Sequence, residues 1–117
     1  MPRSAGKATR SPRPGALIVL VTCPTRKIGE TIGHLLVQER LAACVNIVPN
    51  LTSIYRWEGK ICRNAEVLLV GKTRRICLPA LIRRVRSLHP YSMPEIIALP
   101  VVGGFVPYLS WVRDSTS

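Results

Sequence analysis

Residues 87–97 read SLHPYSMPEII. His89 stands before Pro90, and Glu95 follows Pro94. The two prolines stiffen the backbone between an imidazole and a carboxylate. Those donors suit zinc or copper(II), but a centre needs a third: a thiol, a water or a group from a neighbouring subunit. The same residues also have a plain structural reading. His89 then caps the preceding helix by donating to its late carbonyls, and Glu95 pairs with an arginine. The other histidine, His34, falls off the apolar stripe of its helix and reads as solvated. Catalytic constellations are not expected. No aspartate precedes Asp114, and two histidines are all the chain has.

The elements that must hold this loop follow from periodicity. Residues 17–22 (LIVLVT) are β-branched and continuously apolar, as in a strand covered on both faces. Pro24 ends it, and Thr25 is a suitable N-cap for a helix over 26–40 with Ile28, Ile32, Leu35 and Leu36 on one side. Strands are predicted at 42–48, 51–57 and 66–73, with Pro49-Asn50 as a turn signal and Gly59 between the later two. Together 42–73 forms a long, bent antiparallel hairpin. A second helix spans 75–88, with Ile76, Leu81, Val85 and Leu88 inward and Pro79 in its first turn. His89 precedes a proline and so ends that helix. The last main strand covers 95–102, where Pro100 requires an edge or a bulge. Residues 107–113 form a short terminal helix or strand.

The order βαββαβ is the ferredoxin-like arrangement, α+β, with an antiparallel sheet and two helices on one face. Three strands nevertheless read as apolar on both sides. Surplus apolar surface must meet something, most simply other subunits.

The 117 residues fit one domain, 47% hydrophobic but only 5% aromatic, so the core is aliphatic. The net charge of +11 attracts anions and is spread unevenly. Residues 1–15 hold four basic residues and no acid, and read as a solvated, disordered basic tail before a domain at 16–117. The cysteines at 23, 44, 62 and 77 show no CxxC spacing. They read as free thiols in a reducing, cytoplasmic setting. No apolar run approaches the ~20 residues that span a bilayer.

LAACVNIVPNLTSIYRWEGKI at 41–61, EVLLVGKT at 66–73, LHPYSMPEIIALPVV at 88–102 and YLSWV at 108–112 resemble the CutA divalent-cation-tolerance family, as does VTCP at 21–24. The resemblance covers roughly residues 16–113. It implies a ferredoxin-like subunit in a tight homotrimer, divalent metal as ligand with copper foremost, and an architecture like PII signalling proteins. It carries over no enzymatic reaction. Some members have a candidate cysteine ligand on the first strand, at the position of Val21 here. Cys23 lies two residues on and, at period 2, on the same face. His89, Glu95 and Cys23 are therefore the metal candidates. Lys72, Tyr91, Trp57 and Glu58 match motif positions and are pocket candidates. This chain departs from the acidic look of many members: Arg26, Lys27, Arg63 and Asn64 stand where acids are usual, and Ser92 follows HPY.

Two other functions compete. A PII-like signalling or scaffold trimer would bind a small anion at Lys72. A nucleic-acid module would use Arg83 and Arg84, but the aromatic strand motif for stacking bases is absent, so nucleic acid is the weaker reading.

Overall fold

A computed structural model describes residues 15–117. The basic stretch read as a tail therefore lies outside the described residues, apart from Gly15. The chain runs β1 (Ala16–Cys23), α1 (Arg26–Gln38), β2 (Cys44–Trp57), β3 (Lys60–Arg74), a 3-10 turn (Arg75–Cys77), α2 (Leu78–Leu88), β4 (Ile96–Pro100) and α3 (Val106–Ser115). The four strands make one antiparallel sheet in the order β2-β3-β1-β4. This is the expected ferredoxin-like α+β arrangement, with its long bent hairpin.

Local chemistry sets the element ends. Thr25 is extended, and its Oγ1 accepts the Ile28 N–H at 3.2 Å, satisfying one free donor of α1. Pro79 sits in the first turn of α2, where its missing N–H costs nothing. His89 leaves the helical region (φ −81°, ψ 136°) before Pro90 and caps α2 through its backbone N–H to Val85 O at 2.9 Å. Pro100 ends β4, an edge strand. The C-terminal segment, open between helix and strand in the sequence, is helical.

Two expectations need correction. Pro49-Asn50 is not a turn between separate strands. β2 continues through it as a bulge, with a register shift between Val48 and Leu51 and Asn50 at φ 61°. This bulge bends the hairpin. Ile76 is not on the buried side of α2. The helix starts two residues later, and Ile76 points outward from the 3-10 turn, 75% exposed.

Strand alternation divides the sheet. Val19, Val21 and Cys23 of β1, with Val67 and Leu69 of β3, face the helices and bury against Ile32, Leu36, Leu81 and Val85. The opposite face carries Ile18, Leu20, Val48, Leu68, Val70, Ile97 and Leu99. α3 covers one end of it: Arg74 donates to Thr116 Oγ1 and to its carbonyl, both at 2.8 Å. Much of the rest is apolar and uncovered among the described residues, with Ile97 51% exposed and Leu99 49%.

Candidate functional site

The loop after α2 is fastened to the end of β1 by His89. This ring is buried, and its Nε2 lies 2.8 Å from the carbonyl oxygen of Thr22. Nδ1 lies 3.1 Å from the Tyr91 backbone nitrogen and accepts its N–H. An acceptor nitrogen carries no proton, so in the neutral ring the proton is on Nε2, donating to Thr22. The Tyr91 ring stands against the imidazole with centroids 4.7 Å apart. Its hydroxyl donates to Glu66 Oε2 at 2.8 Å.

Glu66 is the one buried acid among the described residues, 8% exposed. The sequence reading missed it, because it opens the apolar strand EVLLV and looks like a solvated end. Alternation puts it on the open face, opposite Leu51 on β2, and the Tyr91 loop closes over it. Its second oxygen has no hydrogen-bond partner among the described residues. A buried carboxylate with a single donor is costly and favours a further cation or donor. Nearby, Tyr55 donates its hydroxyl to Asn64 Oδ1 at 2.6 Å. Burial, then the hydrogen bond and charge of Glu66, push the Tyr91 phenol up to about 12. The Cys23 thiol is fully buried, and burial, then Glu66, push it up to about 11.

The predicted metal trio does not assemble within one chain. Both nitrogens of His89 are occupied by backbone partners. Cys23 faces the core as a protonated thiol, whereas a metal needs the thiolate. Glu95 is exposed and takes part in no hydrogen bond or ion pair among the described residues. No group of three or more His, Cys, Asp or Glu among those residues could hold a metal ion. The plain reading also changes in detail. His89 caps α2 through its backbone, while its ring reaches Thr22. The arginine partners go to other acids: Arg84 to Glu39 at 2.8 Å and Arg26 to Glu30 at 3.0 Å.

The pocket candidates divide likewise. Tyr91 belongs to the Glu66 site. Lys72 lies on the open face, bonded to Asn46 Oδ1 and 3.8 Å from Cys44 Sγ. Trp57 and Glu58 lie at the hairpin tip. Trp57 pairs with Lys60, so Lys72 is about 40 Å farther along β3 at strand rise. Within one chain these residues share no cleft.

Fold and site define a ferredoxin-like α+β subunit with a protruding hairpin, an uncovered apolar sheet face and a carboxylate–phenol pair at its margin. A family model described as CutA1 divalent ion tolerance protein matches residues 17–115. The divalent-cation tolerance protein CutA of Thermus thermophilus is 52% identical over 85% of this chain and 96% of its own length. Human protein CutA is 51% identical over 88% of this chain, which spans only 58% of that longer protein. The solved CutA1 structure from Oryza sativa superposes with a TM-score of 0.86 at 46% identity, covering 88% of this chain and 94% of its own. The chain belongs to the CutA1 divalent ion tolerance family.

Proposed function

We propose that this protein binds divalent cations, copper among them, as a non-enzymatic homotrimer whose ion sites lie between copies beside Glu66 and Tyr91. The observation that carries the reading is the buried Glu66 carboxylate, served by one donor among the described residues at the edge of an open apolar face. The relatives' names supply the ion class. Among the described residues of one chain no three such donors come together, so a neighbour or solvent completes the set. Glu95, exposed on the Tyr91 loop, is the donor of the predicted trio that needs no rearrangement. A cytoplasmic setting fits four free thiols, two of them buried. Among the described residues no helix is long and apolar enough to cross a membrane.

Calorimetric titration of tag-free protein with Cu²⁺ and Zn²⁺ tests this. Glu66→Gln should weaken binding by about tenfold or more, the scale of one lost charged contact. Glu95→Gln should weaken it less. Affinity unchanged by both substitutions contradicts the reading.

A second reading has its own observation. Lys72 is half-buried beside neutral partners, and no carboxylate pairs with it among the described residues. A PII-like role would place a small anionic ligand there. Nucleotide binding that disappears in Lys72→Ala supports it, and no binding in the parent chain rejects it.

A further inference from the structure

We infer that His89 is a positioning residue rather than a metal ligand: its ring, fixed as the Nε2–H tautomer, clamps the 89–95 loop to β1 and holds Tyr91 over Glu66. Four contacts make the chain of causes. Nε2–H donates to Thr22 O at 2.8 Å, and Nδ1 accepts the Tyr91 N–H at 3.1 Å. The two rings meet at 4.7 Å, and the Tyr91 hydroxyl reaches Glu66 Oε2 at 2.8 Å. A metal at Nδ1 would displace the Tyr91 amide, leaving that N–H without its partner. A metal at Nε2 would displace the proton that satisfies the Thr22 carbonyl. Either costs a buried hydrogen bond on an 8% exposed ring. Tyr91 would lose its anchor at the same time.

The consequence concerns ion chemistry. Cations meeting this protein take oxygen donors without the imidazole, so a bound Cu²⁺ carries no nitrogen from His89. Only this part rests on the cation-binding reading. The chain has two histidines, and His34 is exposed on α1. In His34→Gln the remaining imidazole is His89 alone, which makes the spectroscopy unambiguous.

The experiment uses full-length, tag-free His34→Gln. In metal-free, ¹⁵N-labelled protein, NMR should show the ring proton on Nε2 and none on Nδ1. It should also show a through-hydrogen-bond coupling between His89 Nδ1 and the Tyr91 amide nitrogen. A ring protonated at Nδ1, or averaged between tautomers, overturns the clamp. With one equivalent of Cu²⁺, electron spin-echo modulation should lack the remote imidazole nitrogen, and its appearance overturns the inference. Should copper fail to bind at all, the cation reading falls while the tautomer result still decides the clamp. In His89→Phe, which keeps ring volume, exchange of the Tyr91 amide should accelerate at least tenfold and ring contacts from Tyr91 to Glu66 should vanish. Their survival in a folded variant rejects the positioning role.

Discussion

Tyr91 donates to a carboxylate that burial has separated from most of its water, so the hydroxyl stabilises far more than a surface phenol would. Tyr91→Phe removes the hydroxyl donor from Glu66 and should cost about 1–3 kcal/mol in urea unfolding. Cys23 gives a pH signature. Its folded thiol holds its proton up to about pH 11 against an ordinary 9.0, so the folded chain binds more protons than the unfolded chain between those values. Stability is therefore fully present below pH 9 and falls as pH rises toward 11, by an amount on the order of 2 kcal/mol. Tyr91 adds to the same decline from 10 toward 12. Urea midpoints at pH 8 and pH 10.5 measure the fall, and Cys23→Ala should flatten its lower part. His89 and Glu95 show what residue types conceal: six positions of separation suggested a pair, but the imidazole faces inward to Thr22 and the carboxylate faces out. Glu66 was invisible because its burial comes from a loop 25 residues away in sequence.

At the scale of elements the sequence was more readable, because propensity and packing agree there. The β-branched run of β1, Thr25 before α1 and Pro79 at the start of α2 each mark an element that forms for the expected reason. The bulge at Val48–Leu51 escaped, since Pro-Asn signals a reversal locally and only the partner strand decides that pairing continues. The hairpin tip tests the turn chemistry. Glu58 and Gly59 have φ of 51° and 80°, the signature of a tight I′ reversal that favours Asn-Gly. Glu58 is strained there as a non-glycine residue. Glu58→Asn should raise stability by roughly 0.5 kcal/mol, read as a higher thermal midpoint. A lower midpoint would mean that Glu58 makes contacts outside a single chain.

The described residues measure 54 × 27 × 24 Å and leave uncovered the part of one sheet face that α3 does not reach. Strands apolar on both sides pointed to this, because two helices cover a single face. What the sequence could not show is which residues border the gap, since that depends on register and on the hairpin bend. In the proposed trimer, three copies cover this face against one another, with Glu66 and Tyr91 beside the clefts between them. Ile97→Asp places a charge in the middle of that contact and should dissociate the assembly, because a buried unpaired charge is costly. Light scattering on the purified chain at micromolar concentration measures this association. The proposed trimer gives a mass about three times the 12.9 kDa chain, falling to one chain in Ile97→Asp. A parent protein that is monomeric, soluble and stable at that concentration would contradict it.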